Sequence, residues 1–214
     1  MRALARRDPR LGAALRRVPP FPGFPEGVAG RPRTHFEELA RAIVHQQLAG
    51  AAARTIWGRV RALCAGRGSL RAEAVAALSD EALRGAGLSR AKLAALRDLS
   101  ARVLDRRLSL RSVARRSDEE AVAALSEVHG IGVWTAQMFL LFRLGRLDVL
   151  APGDLGLQEG LRRLDRLEER PTPAELARRG ELWAPLRSVA SWVLWRLADG
   201  KPTPASGAGE SDGK

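Results

Sequence analysis

The chain has 214 residues, 45% of them hydrophobic. It contains 36 lysine and arginine residues and 24 aspartate and glutamate residues, which give a formal net charge of +12 and a pI near 11.4. This composition excludes an intrinsically disordered chain, and no apolar run approaches the roughly 18 residues that a membrane span needs. The single cysteine, Cys64, excludes an intramolecular disulfide, a cysteine-rich zinc site and a four-cysteine iron–sulfur cluster. The basic charge favours a polyanionic partner, although a chain with only three lysines can also owe its arginines to codon composition.

The first part of the chain is predicted to form helices separated by proline and glycine. Asp8 is a typical N-cap for a short basic helix that runs through Leu15. An extended strap is predicted at four prolines, Pro19, Pro20, Pro22 and Pro25. Thr34 and Glu37 have the spacing of a capping box at the start of an amphipathic helix, and Gly50 separates this helix from a second one.

Shorter helices are predicted in the middle of the chain. Residues 71–78 and 79–86 are expected to form two of them, because Gly87 is a typical C-terminal stop. A long helix is expected to begin after Leu88. Ser117, followed by three acidic residues, has the pattern of another capping box and opens the helix that leads to the next glycine turn.

The last part of the chain is also predicted to be helical. One helix is expected to end at Leu167, and Thr172 is expected to cap the next. The final helix is predicted at about 182–197, with Pro185 tolerated in its first turn. Residues 201–214 have almost no apolar content and are predicted to be a flexible tail. No segment alternates in the manner of a β-strand, so the predicted fold is all-α.

The stretch from Leu125 to Leu157 contains two features that point to function. Gly130-Ile131-Gly132 joins two apolar helical segments in a tight hairpin, where glycines allow backbone N–H groups to approach a phosphate at the start of the next helix. Further along, Asp154 follows Pro152-Gly153 at the predicted start of another helix. The sequence therefore predicts an anion site and, downstream, a carboxylate in a chain that is otherwise strongly basic.

Four segments, in this order, match motifs of a known family. They are 43–48 (IVHQQL), 87–92 (GLSRAK), 125–136 (LSEVHGIGVWTA) with Pro152-Gly153-Asp154 downstream, and 183–195 (WAPLRSVASWVLW). Together they resemble the helix-hairpin-helix DNA glycosylases, and most closely the alkylation-repair branch, the 3-methyladenine DNA glycosylases. The resemblance implies an all-α, two-lobed helical bundle over residues 1–200, with the hairpin at about 125–136 and the active-site cleft between the lobes.

The resemblance also assigns roles to matching residues. It makes Asp154 the catalytic aspartate. It places four residues in the base pocket: Trp134, Met138, Leu155 and Trp195. It assigns Gln47 and Leu48 to the wedge that fills the gap left by a flipped nucleotide. It implies that a phosphate binds the hairpin backbone around Gly130, Ile131, Gly132 and Trp134. It implies a sodium or potassium ion on the backbone carbonyls of Ser126, Val128 and Ile131, with no other cofactor required.

The residue pattern agrees with these roles in part. Trp134 and Met138 lie on one side of the predicted helix after the hairpin, and an indole face suits a cationic purine, although aromatic residues at helical spacing equally fit a core. Gln47 departs from the apolar stripe of its helix, as an exposed residue would. Leu48 continues that stripe, which equally fits a buried position.

Two departures from the family pattern are informative. Bifunctional members have a lysine at the second position after the last hairpin glycine, where this chain has Trp134. The resemblance therefore implies a monofunctional enzyme that forms no Schiff base and cleaves no strand. The segment before Thr34 is too short for the N-terminal β-rich domain of some bacterial relatives, so a minimal form is expected.

Asp154 can be assigned a chemical role from the reaction itself. Breaking an N-glycosidic bond gives the sugar oxocarbenium character, which a nearby carboxylate stabilises more in the transition state than in the ground state. A carboxylate about 4 Å from a full positive charge contributes roughly 4 kcal/mol at an effective dielectric of about 20, on the order of a thousandfold in rate. Asp154 can also orient or deprotonate the attacking water. The alternative is that it only caps a helix.

The predicted function is therefore hydrolytic excision of alkylated purines such as 3-methyladenine and 7-methylguanine from double-stranded DNA. The protein is expected to be a cytoplasmic monomer, nucleoid-associated if bacterial. One alternative is a non-catalytic helix-hairpin-helix DNA-binding module, which would need neither Asp154 nor the Trp134 and Trp195 pair. Another is a glycosylase of the same fold that removes hypoxanthine, ethenoadenine or uracil.

Overall fold

A computed structural model describes residues 1–24, 34–64 and 70–200; the predicted tail at 201–214 and Pro25 lie outside these ranges. Within them the chain forms thirteen α-helices and one 3₁₀ turn and has no β-strand, which confirms the all-α prediction. The helices are α1 (Arg2–Arg7), α2 (Pro9–Leu15), α3 (His35–His45), α4 (Gly50–Leu63), α5 (Ala72–Ala76), α6 (Asp80–Gly85), α7 (Arg90–Leu104), α8 (Leu110–Val113), α9 (Asp118–Ser126), α10 (Val133–Phe142), α11 (Leu155–Asp165), α12 (Pro173–Gly180) and α13 (Arg187–Asp199). Of the helices in these ranges, none combines the length and the apolar character that a membrane crossing requires.

Side-chain caps fix many of the helix starts. Ser117 and Thr172 form capping boxes with both reciprocal hydrogen bonds at the starts of α9 and α12, as predicted. Thr34 caps α3 by accepting the N–H of Glu37, but the predicted box is wrong in its second half. The Glu37 carboxylate is buried and instead lies 3.2 Å from the Arg61 guanidinium of α4. A tertiary ion pair therefore replaces the reciprocal hydrogen bond that Glu37 would make in the capping box, while the Thr34 cap remains.

The predicted start of the last helix is wrong. Residues Glu181–Trp183 form the 3₁₀ turn, and α13 begins only at Arg187 rather than near Leu182. Ala184 has the extended conformation (φ −60°, ψ 141°) that a following proline favours. Pro185 therefore ends the turn instead of lying in the first turn of α13.

Other boundaries differ by smaller amounts. Helix α11 ends at Asp165 rather than Leu167, because Arg166 takes a left-handed conformation (φ 57°). Helices α1 and α8 have six and four residues, too short for an amphipathic repeat to be recognised in the sequence. Gly87 has a φ of +106° after α6, consistent with the predicted stop.

The chain divides into two compact units, in agreement with the predicted two lobes. One unit is Gly23–Arg146 and contains α3 to α10. The other combines Met1–Pro22 with Leu147–Lys214 and contains α1, α2 and α11 to α13. Fully buried side chains in the core of the first unit include Leu39, Ile43, Leu96, Leu99, Leu125 and Leu140. The predicted domain limits and the cleft between the lobes stay predictions.

The buried carboxylate of Asp8 links several elements of the second unit. Asp8 is 3% exposed; its side chain caps α2 through the Leu11 N–H, accepts the Trp183 indole N–H at 2.8 Å and lies 2.6 Å from Arg179. Burial alone would raise the pKa of Asp8, but these hydrogen bonds and the Arg179 charge hold that pKa below its ordinary value. The ionised Asp8 thus joins the N-terminal helices to α12 and the 3₁₀ turn.

Candidate active site

The glycine hairpin between α9 and α10 has a distinct role for each glycine. Gly130 has a φ of +78°, and a Cβ there would lie 2.8 Å from the Cβ of Ala95. Gly132 is the N-cap of α10, and a Cβ there would meet nothing within 4 Å. No side chain caps the start of α10. The hairpin therefore opens onto backbone N–H groups at a helix N-terminus, an arrangement that suits a phosphate.

Two side chains that the sequence patterns do not identify hold this hairpin in place. The Asp98 carboxylate of α7 accepts the backbone N–H of His129 at 2.8 Å and the Arg102 Nε–H at 2.9 Å. Burial alone would raise the pKa of Asp98, but these two donors hold it below its ordinary value. The Gln46 amide donates to the carbonyl of Gly130 at 2.8 Å. Gln46 lies within a segment that matches the family, whereas nothing in the sequence marks Asp98.

The predicted wedge residues lie directly after α3 in the same unit as the hairpin. Gln47 has a φ of +53°, an uncommon conformation for a residue other than glycine. Leu48 is 37% exposed, which excludes the buried alternative for this predicted wedge residue. The chain leaves α3 before it reaches Leu48, so the apolar face of that helix does not extend to this residue. The Lys92 ammonium supports this turn by donating to the carbonyl of Val44 at 2.7 Å.

Asp154 is the N-cap of α11, and its cap contacts also fix the position of its carboxylate. Oδ1 accepts the backbone N–H of Leu157 at 2.9 Å and the indole N–H of Trp195 at 3.0 Å. The Gln158 amide donates to the carbonyl of Pro152 at 2.8 Å and braces the preceding turn. The contacts that cap α11 therefore also fix the position of the carboxylate that is predicted to be catalytic.

Trp195 therefore has a contact that the sequence does not predict. The sequence places it in the base pocket for its aromatic face, and the structure adds an indole N–H bonded to Asp154. Gly156 leaves room for this contact, because a Cβ there would lie 3.0 Å from both Asp154 Oδ1 and Trp195 Cδ1. Leu155, also predicted to line the pocket, is 64% exposed beside Asp154 in the chain.

Close packing of α11 against α13 brings these two residues together. Gly160 lies against the backbone of α13, and a Cβ there would overlap the carbonyl group of Leu194. The absence of a side chain at Gly160 lets the helix that begins at Asp154 approach the helix that contains Trp195. Glycine therefore has a packing role here rather than a conformational one.

The other two predicted pocket residues belong to α10. Trp134 is 49% exposed, so it is not a core residue of its unit. Met138 follows one turn later, on the same face of the helix, and is half-buried. The structure thus groups Trp134 and Met138 with the hairpin and groups Leu155 and Trp195 with Asp154. Whether all four line one pocket stays a prediction.

The predicted cation ligands are carbonyl groups in the hairpin. The Val128 carbonyl accepts the N–H of Ile131 at 3.0 Å, which uses one of its two lone pairs. The hydroxyl of Ser126 is buried and has no hydrogen-bond partner among the described residues. An unpartnered buried hydroxyl beside these carbonyl groups in the chain is compatible with a cation that prefers oxygen ligands. Within residues 1–24, 34–64 and 70–200 no cluster of histidine, cysteine or acidic side chains could hold a metal ion.

Comparisons with known proteins show which family the chain resembles. The family model of the HhH-GPD superfamily base excision DNA repair proteins matches residues 40–185, a range that includes each predicted site residue except Trp195. DNA-3-methyladenine glycosylase 1 of Schizosaccharomyces pombe is 33% identical over 164 residues, which are 76% of this chain and 72% of that protein.

Two solved structures match over nearly the whole chain. DNA-3-methyladenine glycosidase from Bacillus halodurans has a TM-score of 0.78 and 35% identity, and the match covers 92% of this chain and 88% of that one. The S. pombe 3-methyladenine DNA glycosylase in complex with abasic DNA has a TM-score of 0.71 and 28% identity, and the match covers 91% of this chain and 95% of that one. The likeness therefore extends over both units.

Proposed function

Because the chain belongs to the HhH-GPD superfamily of base excision DNA repair proteins, we propose that it is a monofunctional DNA glycosylase that removes alkylated purines such as 3-methyladenine and 7-methylguanine from double-stranded DNA. DNA is its binding partner, as for the S. pombe relative solved with abasic DNA. The observation that carries the proposal is the Asp154 carboxylate, held in place by Leu157 and Trp195. The names of its relatives support the alkylated substrate.

The proposed reaction breaks the bond between the base and C1′ of its sugar. The base leaves with the electron pair of that bond, and the sugar gains oxocarbenium character. An N3- or N7-alkylated purine is a good leaving group because its positive charge is neutralised as it departs. Asp154 stabilises the developing positive charge on the sugar, and water then adds to C1′ and gives up a proton to Asp154 or to solvent.

A strand-cleaving lyase step needs a nucleophilic amine near the sugar, and the positions of the lysines argue against one. Trp134 occupies the position where bifunctional relatives have their nucleophilic amine. Lys92 is the only lysine among the described residues, and its ammonium donates to the carbonyl of Val44 at 2.7 Å. Among the described residues neither position offers an amine to the sugar, which supports free base and an intact abasic strand as the products.

We extend the proposal to a sodium or potassium ion at the hairpin. The carbonyls of Ser126, Val128 and Ile131 would hold it, and the orphaned hydroxyl of Ser126 supports this assignment. When bound, the ion would supply positive charge beside the phosphate. The phosphate itself is proposed to bind the backbone N–H groups at the start of α10, where the helix dipole also favours an anion.

The test is release of 3-methyladenine and 7-methylguanine from methylated duplex DNA by the wild type and by Asp154→Asn. Asparagine keeps an oxygen that can accept the Leu157 and Trp195 N–H groups but removes the negative charge. We expect release to fall on the order of a thousandfold, while DNA affinity is retained. Borohydride should trap no covalent adduct with either protein.

A matched control is Asp148→Asn. Asp148 also accepts a helix-start N–H, that of Arg187 at 3.2 Å, and it accepts hydrogen bonds from the Arg187 guanidinium at 2.8 and 2.9 Å. The variant therefore removes a charged cap and its ion pair without touching Asp154. This variant should keep wild-type release. If the wild type binds DNA but releases no base, the protein is instead a non-catalytic helix-hairpin-helix module.

A further inference from the structure

Gln46 joins the turn after α3, residues 46–48, to the glycine hairpin. It is the C-cap of α3, and the next two residues are the predicted wedge, Gln47 and Leu48. The Gln46 amide nitrogen donates to the Gly130 carbonyl at 2.8 Å and lies 3.4 Å from the Thr135 hydroxyl in the first turn of α10. A carbonyl oxygen only accepts hydrogen bonds, so the NH₂ group of Gln46 is the end that faces the hairpin. One side chain therefore ties the wedge turn (residues 46–48) directly to the hairpin.

Helix α7 joins the same two segments by a second route. The Lys92 ammonium donates at 2.7 Å to a carbonyl in the last turn of α3, and the Asp98 carboxylate accepts the His129 N–H at 2.8 Å. Ala95 lies so close to Gly130 that a Cβ on the glycine would be 2.8 Å from the Ala95 Cβ. Lys92, Ala95 and Asp98 are spaced three residues apart, so they lie on one side of α7. We call the wedge turn and the hairpin, joined in these two ways within one compact unit, the clamp.

The clamp presents an exposed apolar side chain together with the proposed phosphate site. Leu48 is exposed, and it follows Gln47, whose left-handed conformation turns the chain away from α3. Proteins that disturb base stacking insert apolar side chains such as leucine between base steps, at the cost of unstacking them. A duplex in which one nucleotide has left the stack offers that space at a lower cost. Leu48 therefore suits a gap in the base stack better than an intact one.

We infer that Gln46 is a positioning residue that couples entry of Leu48 into a gap in the base stack to phosphate binding by the hairpin. The inference rests on the proposed function and adds a means of distinguishing DNA with a gap from intact duplex. When the hairpin holds a phosphate, the clamp fixes the place where Leu48 meets the duplex. A gap accepts the side chain there, and little further ordering has to accompany binding. Without the Gln46 contact the hairpin can hold the phosphate while Leu48 stays outside the stack.

The experiment measures the affinity of the wild type and of Gln46→Met for two duplexes that differ only in one abasic-site analogue. Methionine has nearly the length of glutamine but no N–H donor. We expect Gln46→Met to lower the preference for the abasic duplex by about 2- to 10-fold, the range for one hydrogen bond between uncharged groups. Affinity for the intact duplex should not change. A 2-aminopurine base beside the gap reports stacking by its fluorescence, and its change on protein binding should be smaller for Gln46→Met, because Leu48 fills the gap less often.

A double-mutant cycle with Leu48→Ala separates coupling from a purely structural effect. Without the leucine there is no side chain to position, so Gln46→Met should not change the preference in the Leu48→Ala background. A purely structural role of Gln46 would give the same effect in both backgrounds. Ser100→Ala is the matched control, because it removes a buried hydrogen bond within α7, from the Ser100 hydroxyl to the Leu96 carbonyl at 2.8 Å. This control should keep the wild-type preference even if its melting temperature falls.

The outcomes distinguish the role of Gln46 from the proposed function. Gln46→Asn, whose amide is one methylene too short to reach Gly130, should lower the preference to the same extent and serves if Gln46→Met does not fold. If the wild type prefers the abasic duplex and both variants keep that preference, the role of Gln46 is overturned and the proposed function stands. A wild type that binds both duplexes equally overturns the coupling and the wedge, while base release still tests the glycosylase. A wild type that binds neither duplex overturns the proposed function as well.

Discussion

One oxygen of Asp154 accepts two hydrogen bonds, and the donor from Trp195 is the one that the sequence does not reveal. The Leu157 N–H is a local cap contact, available to any aspartate at a helix start. The Trp195 indole N–H comes from another helix, and Gly156 leaves room for it, because a Cβ at Gly156 would lie 3.0 Å from both Asp154 Oδ1 and Trp195 Cδ1. Trp195 can therefore act through its N–H, through its aromatic face, or through both.

Replacing Trp195 with phenylalanine distinguishes these two roles. Phenylalanine keeps an aromatic face but removes the donor to Asp154, so the carboxylate loses a hydrogen bond worth about 1.5–3 kcal/mol. We expect kcat for 7-methylguanine release to fall about 10- to 100-fold, with little change in affinity for abasic DNA. Single-turnover release and a binding titration measure the two quantities.

Trp192 provides the matched control on the same helix. It is half-buried, and its indole N–H donates to the carbonyl of Pro19 at 3.4 Å, away from Asp154. Trp192→Phe should therefore leave kcat unchanged. If Trp195→Phe also keeps full activity, stacking rather than the hydrogen bond is the contribution of Trp195.

At the scale of helices, the packing of α11 against α13 sets the distance between Asp154 and Trp195. Gly160 lies at the closest approach, where a methyl group would overlap the carbonyl of Leu194. Gly160→Ala should lower the free energy of unfolding by about 1–3 kcal/mol, because overpacking outweighs the better helix propensity of alanine. It should also lower kcat, since α13 must move away from Asp154. Urea unfolding and base release test the two effects.

Gly58 allows the propensity effect to be measured alone. It lies inside α4, and a Cβ there would meet no atom within 4 Å. Gly58→Ala should therefore stabilise the protein by up to about 1 kcal/mol and leave activity unchanged. Equal effects of the two substitutions would mean that the close contact at Gly160 relaxes without cost.

The difference between local signals and contacts between distant residues explains which elements the sequence could predict. Local signals, such as the caps at Ser117 and Thr172 and the glycine hairpin, depend on neighbours in the chain and are confirmed. Features set by distant contacts are not visible in that way: Asp98 holds the hairpin from α7, and Glu37 leaves its capping box for an ion pair with Arg61. Tertiary contacts can override local preference, because intrinsic propensity is only a weak determinant of structure.

For the molecule as a whole, the open question from the sequence is whether its net charge of +12 serves DNA binding or reflects composition. Phosphate contacts release counterions, so the two cases differ in salt dependence. A footprint of about four phosphates gives a slope of log Kobs against log salt near −3.6, and raising salt from about 50 to about 200 mM then weakens binding on the order of a hundredfold. A salt titration of duplex affinity by fluorescence anisotropy measures this slope, and a flat response would contradict DNA binding by the hairpin.

The Gly132→Ala variant tests how much of the salt dependence of duplex affinity comes from the hairpin. The backbone at Gly132 (φ −89°, ψ 174°) suits any residue, and the added methyl meets nothing within 4 Å, so the melting temperature should fall only by the small loss of N-cap preference between glycine and alanine. The methyl would, however, occupy the space through which a phosphate approaches the N–H groups of α10. We expect weaker binding to damaged and undamaged duplex alike, and a slope smaller by about one. An unchanged slope would place the phosphate contacts elsewhere on the basic surface, because the hairpin would then contribute none of the released counterions.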